Sequence, residues 1–351
     1  MCRSLKIAKR VGSGRKVDGA AQFWMGLFML AAWLIFQAGT ALAEPVSLKF
    51  ATTIPPNNPL VADFFEPWAK KVNEASGGDL NIQVISGPTL ANASNVWERT
   101  VNQVTDIGWG IHGAVGLPFP KSDITSLPSL VEDLVNGSIA LWRLYSSGLI
   151  ADEYKGVRVI GLAVTPGSLI SSKKPITKLE DMKGLKVRAA NRMVADVITA
   201  LGGAPIAVPV PEIYQSLQKG VINACVAGWT VANNFRIYEV TGEHLEGVAL
   251  GEPCGFVVMN VNSYEKLSPK AKAALDQHSG EYFARELGAW FKKDASDNRE
   301  RIRAMKGQTI HTVDAKEKER WNKALEPVIQ GWVGRTQNGD KVLASFKEEP
   351  H

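Results

Sequence analysis

The stretch Gly184–Trp229 limits the fold more than any other part of the chain, because apolar runs of strand length alternate there with amphipathic segments. In GLKVR, the Leu and Val side chains share one face of a strand, and the Lys and Arg side chains share the other. Residues 194–201 then carry apolar side chains at helical spacing, and Gly202 ends that segment. We predict strand, helix, short strand, helix and strand in succession, as in an α/β protein.

Arg188 lies where the first of these strands is predicted to end and a helix to begin, with Asn191 as the N-cap. Ligands of open α/β sheets bind at this edge, where helix N–H groups attract anions. A planar guanidinium matches the two oxygens of a carboxylate. We therefore predict that Arg188 anchors an organic anion beside Asn191. Arg192 either adds positive potential there or is a solvent-facing charge.

The segments GLKVR, ALGGAPIAVPVPEIYQSLQKGVIN and DIGWG occur in an order that resembles the extracytoplasmic solute-binding subunit of tripartite ATP-independent periplasmic (TRAP) transporters. The resemblance covers essentially the whole mature chain. It implies an α/β, two-lobed periplasmic binding protein fold, with two crossover strands as a hinge and a long C-terminal helix bridging the lobes. It also implies that Arg188 holds the substrate carboxylate, and that the partners are a small and a large permease subunit in the membrane.

Several positions differ from the pattern of that family. The sequence has Ala227 where many members use Asn, Val210 where some members stack an aromatic ring on a sugar acid, and Ser168 where sialic-acid binders have a second Arg. These differences argue against a sialic-acid specialist and favour a monocarboxylate with an apolar or aromatic body. A C4-dicarboxylate, a keto acid or another sugar acid remains an alternative.

Residues 1–43 have the composition of a cleavable secretory signal peptide: a basic segment, an apolar run from Met25 to about Phe36, and a small-residue site at Ala41–Ala43. Cleavage between Ala43 and Glu44 predicts a periplasmic protein. The full chain has 40 basic and 35 acidic residues, but the remaining 308 residues hold 34 of each. This balance gives no support for nucleic-acid binding.

The mature chain is long for one core and is expected to form two lobes. Strand-like runs at 157–172 and 244–261 are the predicted crossovers, which gives a first lobe of 44–165 plus 253–351 and a second lobe of 166–252. We expect one long helix from Pro269 to about Met305, a further helix at Ala315–Trp332, and a polar tail that frays after Gly334.

Further candidates for ligand contact lie in predicted loops and strand ends. Helix-then-strand segments ending in Gly-Trp occur twice, so Trp109 and Trp229 could approach a flat ligand from opposite walls, or each could pack within its own lobe. The remaining candidates are His112, Asn57, Pro88 and Tyr214.

The sequence favours a binding protein over an enzyme. Its histidines lie far apart and match no metal-binding spacing, and no nucleophile elbow, P-loop or dinucleotide fingerprint is present. We expect no cofactor or metal, no membrane-embedded segment in the mature chain, and a monomer. Cys225 and Cys254 are expected to be buried free thiols, although export would permit a disulfide. A two-lobed secreted enzyme and a sensor-input binding module are the alternatives from other classes.

Overall fold

The computed structural model describes residues 45–348, so the predicted signal peptide lies outside the described residues. Two separate sheets organise this part of the chain. The first sheet has the strand order β2-β1-β3-β10-β4 and defines what we call the first lobe. Its strands are Val46–Thr52 (β1), Leu80–Ser86 (β2), Ile107–Ile111 (β3), Val157–Val164 (β4) and Cys254–Asn260 (β10).

The second sheet has the strand order β11-β9-β5-β8-β6-β7 and defines the second lobe. Its strands are Ile170–Ser172 (β5), Lys186–Ala189 (β6), Ala204–Ala207 (β7), Ala224–Val226 (β8), Glu243–Glu246 (β9) and Thr309–Thr312 (β11). In both sheets three parallel strands are followed by an antiparallel one, which is β10 in the first and β5 in the second.

Helices cover the sheets, and their apolar faces form the hydrophobic clusters of the molecule. They are Glu66–Ala75 (α1), Val96–Val101 (α2), Leu134–Ser146 (α3), Arg192–Ala200 (α4), Ile213–Gln218 (α5), Trp229–Asn234 (α6), Val261–Glu265 (α7), Pro269–Gln277 (α8), Glu281–Arg303 (α9), Ala315–Arg335 (α10) and Gly339–Glu348 (α11). The predicted order across Gly184–Trp229 is confirmed as β6, α4, β7, α5 and β8.

The chain passes between the lobes four times. Each predicted crossover run contains two strands, one in each sheet, so β4 leads into β5 and β9 returns into β10. Helix α9 packs on α3 of the first lobe and on α6 of the second, which confirms the bridging C-terminal helix. Helix α10 then returns from β11 of the second sheet to α11, which packs on α3. The lobe boundaries inferred from the sequence stay a prediction.

Two predictions about the C-terminal third are wrong. The long helix from Pro269 is broken into α8 and α9, because Gly280 takes a φ of +71°, a left-handed conformation that favours glycine, and packs against Trp142. Residues Gly339–Glu348 form α11 instead of a frayed tail, because Val342 and Phe346 of this helix are completely buried. Their apolar spacing was missed among the surrounding charges.

The two sheets repeat one local motif. Asp106 and Lys49 exchange two hydrogen bonds, since the Asp106 N–H donates to the Lys49 carbonyl oxygen at 3.0 Å and its Oδ2 accepts the Lys49 N–H at 2.8 Å. Asn223 and Lys186 make the same exchange in the second lobe, at 2.7 and 3.0 Å. The lobes are therefore built on one plan, with β1 and β3 corresponding to β6 and β8.

Cys225 and Cys254 are both buried and unpaired, as expected. None of the helices within residues 45–348 has the length and apolarity that a membrane span requires.

Candidate carboxylate-binding site

Arg188 is the third residue of β6 and is 5% exposed. Its Nε donates to the Val208 carbonyl oxygen at 3.0 Å, and its Nη1 donates to the Val226 carbonyl oxygen at 3.1 Å. These acceptors follow β7 and end β8, the strands on either side, so three neighbouring strands fix the plane of the guanidinium. The strands are parallel, which places this group at the carboxyl edge of the sheet, as predicted.

No acidic side chain within residues 45–348 forms an ion pair with Arg188. Burial lowers the pKa of the guanidinium, and no carboxylate offsets this effect. The Cys225 thiol on β8, the strand partner of Arg188, interacts with the guanidinium, but burial raises the pKa of this thiol to about 12, so it stays neutral. The site therefore holds a buried positive charge that the described residues leave uncompensated, which is unfavourable unless an anion joins it.

Helix α4 begins four residues after Arg188, and Asn191 caps it by accepting the Val194 N–H at 2.9 Å. This confirms the predicted N-cap. Asn191 is half-buried and Arg192 is exposed. Gly113 of the first lobe approaches so closely that a Cβ there would lie 2.8 Å from the Asn191 Cβ. The lobes thus meet beside the start of α4, close in sequence to Arg188.

Three candidate residues of the first lobe follow the carboxyl ends of its parallel strands. Asn57 follows β1, Pro88 follows β2, and both are exposed. His112 follows β3 but is buried, and both of its ring nitrogens are engaged. Nδ1 lies 2.9 Å from the Cys254 carbonyl oxygen and Nε2 lies 2.6 Å from the Tyr154 hydroxyl. Because a carbonyl can only accept, Nδ1 carries the proton and Nε2 accepts from the tyrosine. Burial lowers the pKa of His112 to about 4, so the ring is neutral.

The two tryptophans are not equivalent, contrary to the prediction that both stand at the end of a strand. Trp109 lies within β3, and its ring packs in the first-lobe core, with centroids 5.3 Å from Phe65 and 6.3 Å from Phe291. Trp229 begins α6 and lies 5.2 Å from the His244 ring. The rings belong to different hydrophobic clusters and do not form a sandwich in this structure.

The repeated Lys–Asp and Lys–Asn motif explains this difference. Counting from Asp106 and Asn223, the residue that corresponds to Trp229 is His112, and Trp109 corresponds to Val226. The Gly-Trp pairs that look alike in the sequence are therefore three residues out of structural register. Tyr214, the last candidate, is half-buried on α5, and its hydroxyl donates to Glu239 at 3.3 Å.

Residues 50–335, which include the second sheet, all but the start of the first sheet and the site around Arg188, match the bacterial extracellular solute-binding protein family 7. The chain belongs to this family. Such a protein binds a small solute outside the cytoplasm and serves transport.

Two solved structures of TRAP solute-binding proteins are similar to this solute-binding protein along nearly their whole length. One, from Rhodoferax ferrireducens, contains copurified benzoate; it is 27% identical, has a TM-score of 0.81, and the match covers 86% of this chain and 97% of that one. Another, from Bordetella bronchiseptica, contains (R)- and (S)-mandelate; it is 26% identical, has a TM-score of 0.79, and the match covers 87% and 98%. A sequence relative from Comamonas testosteroni, the outer membrane transporter protein TsaT, is 27% identical over 88% of this chain and 92% of its own.

Glu252 is an acidic residue of this solute-binding protein that was not among the candidates predicted from the sequence. It lies in the segment that joins β9 to β10, and its carboxylate accepts the backbone N–H of Gly167 in the segment that joins β4 to β5. Ser168 ties the same two segments together, because its hydroxyl accepts the Leu250 N–H at 3.0 Å. Burial raises the pKa of Glu252 to about 7. The sequence feature that could have identified Glu252 is that it is the one acidic residue within the apolar run GVALGEPCGFVV.

Proposed function

We propose that this chain is a periplasmic receptor that captures a small organic acid between its two lobes, with the carboxylate held by Arg188, and delivers it to a TRAP permease. The observation that carries the proposal is the buried guanidinium of Arg188, which is oriented by two carbonyl oxygens and has no acidic partner within residues 45–348. A carboxylate from solution would supply the missing charge.

Typical interaction energies show that the pair between Arg188 and a carboxylate provides only part of the binding free energy. A charge-assisted hydrogen bond contributes about 1.5–3 kcal/mol net. Micromolar binding requires about 8 kcal/mol. The guanidinium therefore orients the ligand, and the remainder comes from burying the ligand body as the lobes close around it.

The surroundings of Arg188 favour a ligand body that is apolar or aromatic. Val208 and Ala227 are buried beside it, and Val210 is half-buried. A second cation would favour a C4-dicarboxylate, but the cations nearest to Arg188 in sequence, Lys186 and Arg192, are both exposed. The benzoate and mandelate bound by two relatives support a monocarboxylate with a ring. A C4-dicarboxylate, keto acid or sugar acid is the alternative.

The proposal also covers where the protein acts, which partners receive the ligand, and a role without catalysis. A signal peptide over residues 1–43 would place the mature chain in the periplasm, where small and large TRAP membrane subunits would receive the ligand from a monomer. Among the described residues, no group of three or more His, Cys, Asp or Glu side chains converges to hold a metal ion. We propose a binding role without catalysis.

A thermal-shift screen of the mature protein tests the proposal, using benzoate, mandelate, succinate, pyruvate and galacturonate. We expect the aromatic acids to raise the melting temperature of wild type but not of Arg188→Ala, since ligands that bind only the folded state stabilise it. Arg303→Ala is the matched control, because Arg303 pairs with Glu300 on its own helix. Equal stabilisation of Arg188→Ala would contradict the proposal, and turnover of a bound acid, followed by NMR, would favour an enzyme.

A further inference from the structure

Arg335, at the end of α10, contacts the second lobe although the adjoining part of its helix is fixed to the first. Its Nη2 lies 2.7 Å from Asp196 Oδ2 on α4 and 4.0 Å from Met193 Sδ. Three residues earlier, Trp332 is 1% exposed, and its indole N–H donates at 2.8 Å to the carbonyl oxygen of Pro120, which follows β3. The ion pair therefore joins the two lobes directly.

The rest of the C-terminal segment explains why Arg335 is held with the first lobe. Helix α11 follows Arg335 closely and packs on α3, burying Val342 and Phe346. Helix α10 starts instead beside the second lobe, where Glu317 accepts the Leu179 N–H at 2.6 Å and Arg320 pairs with Glu180. Helix α10 thus contacts both lobes: its start is fixed to the second lobe, it packs on α4 of that lobe, and its last turn is tied to the first lobe through Trp332.

The first lobe offers Arg335 a second carboxylate. Asp123 lies on the 3-10 turn Ser122–Ser126, which contacts α4, and no hydrogen bond within residues 45–348 engages its carboxylate. Burial and Glu153 raise the pKa of Asp123 to about 7, whereas Arg335 opposes that rise. Arg335 therefore lies within electrostatic reach of one acid on each lobe. If the lobes separate, Asp196 leaves with the second lobe and Asp123 stays with the first.

We infer that the Arg335–Asp196 ion pair is a latch that stabilises the closed arrangement of the lobes, making both residues positioning residues for ligand retention. Neither residue needs to touch the ligand. The inference rests on the proposed function only for its effect on ligand affinity. The side chains are 36% and 33% exposed, so the effect is modest. For such a pair we expect a two- to five-fold change in the ratio of closed to open molecules.

The decisive experiment measures the distance between the lobes without any ligand. Spin labels on Lys70→Cys of the first lobe and Lys219→Cys of the second report that distance by pulsed electron resonance, and the two cysteines within residues 45–348, Cys225 and Cys254, are buried. We expect Arg335→Ala and Asp196→Ala each to move population toward longer distances, and the double variant to move it no further. The exchanged pair Arg335→Asp with Asp196→Arg is expected to restore part of the closed population.

Arg303→Ala is the control and is expected to leave the distances unchanged, because that arginine pairs within its own helix. A distance distribution that Arg335→Ala does not alter would overturn the latch, as would effects of the two single variants that simply add. Calorimetry with benzoate forms a second arm, in which loss of the latch weakens binding by up to the same factor. If benzoate fails to bind wild type, the proposed ligand class is wrong, and the distance measurement still decides the latch.

Discussion

The Nε–H of Arg188 donates to the Val208 carbonyl oxygen at 3.0 Å, which fixes the guanidinium before any ligand arrives. Together with the bond from Nη1 to Val226, it leaves the Nη2 side of the guanidinium for a carboxylate. A group that is ordered in advance loses little entropy when the ligand binds.

Arg188→Lys tests this geometry separately from the charge. Lysine keeps the positive charge but offers one compact ammonium, which cannot satisfy two carbonyl oxygens and also bind a carboxylate along a planar edge. We expect affinity for an aromatic acid to fall about ten- to hundred-fold, the equivalent of one charge-assisted bond of about 1.5–3 kcal/mol. Isothermal titration calorimetry measures it, with Arg188→Ala expected to show no measurable binding. An affinity within two-fold of wild type would show that charge alone suffices.

Trp109 and Trp229 are expected to respond differently to truncation. Trp109 packs between Phe65 and Phe291 in the first-lobe core, so Trp109→Ala should lower the free energy of unfolding by about 3–5 kcal/mol. Trp229 begins the helix that follows β8, two residues beyond Ala227, so Trp229→Ala should also weaken binding of an aromatic acid. Urea denaturation gives the stability, and titration of the folded fraction gives the affinity. A Trp109 variant that folds normally but binds poorly would instead place Trp109 against the ligand.

Gly228 lies where the second lobe meets the segment that joins β4 to β5. A Cβ on this residue would lie 2.4 Å from the Pro166 carbonyl oxygen, so one backbone segment must move. We expect Gly228→Ala to cost about 1–3 kcal/mol of stability, as overpacking does elsewhere. Binding should also weaken, because Gly228 lies between Trp229 and Val226, the residue whose carbonyl oxygen orients Arg188.

Gly334→Ala is the matched control for this substitution. Gly334 lies inside α10, where a Cβ meets nothing within 4 Å, so alanine should stabilise by up to about 1 kcal/mol. The melting temperature should therefore fall in Gly228→Ala and rise in Gly334→Ala. Equal shifts would mean that the contact with Pro166 is easily relieved.

The sequence alone was sufficient for those features that local spacing determines. The order of elements across Gly184–Trp229, the cap at Asn191 and the place of Arg188 all depend on residues fewer than about twenty apart. The comparison of Trp109 with Trp229 failed because matching letters do not reveal register, which the hydrogen bonds of Asp106 and Asn223 set.

Contacts between distant segments could not be predicted from the sequence. Glu252 binds Gly167 across 85 residues and Arg335 binds Asp196 across 139, and no local pattern marks either pair. Helix α11 was also missed. Its buried Val342 and Phe346 are too few to form a clear apolar stripe without the neighbouring α3.

Glu252 makes stability depend on pH in a direction that can be calculated. Burial raises its pKa from 4.5 to about 7, while hydrogen bonds from the Ser168 hydroxyl and from the N–H groups of Gly167 and Ser168 oppose that rise. No charged side chain of the part of the chain that the structure describes contributes to the shift. Between these two values the folded protein binds the proton more tightly than the unfolded chain does. The contribution of Glu252 to the free energy of unfolding is therefore fully present below about pH 4.5 and is lost as pH rises through about 7.

Other groups titrate in the same range, so the prediction concerns the difference between wild type and Glu252→Gln. The pKa of Asp123 is also raised to about 7, so its contribution to stability falls as pH rises, like that of Glu252. The pKa of His112 is lowered to about 4, so its contribution to stability increases as pH rises. Glutamine can still accept the Gly167 N–H but does not titrate. As pH rises from 4.5 to 8, we expect the free energy of unfolding of Glu252→Gln to increase by about 3 kcal/mol relative to that of wild type. Urea unfolding at each pH measures this difference. Parallel curves would mean that Glu252 keeps an ordinary pKa, and a variant that lost stability relative to wild type as pH rose would show that the ionised carboxylate is the form that holds the two crossovers together.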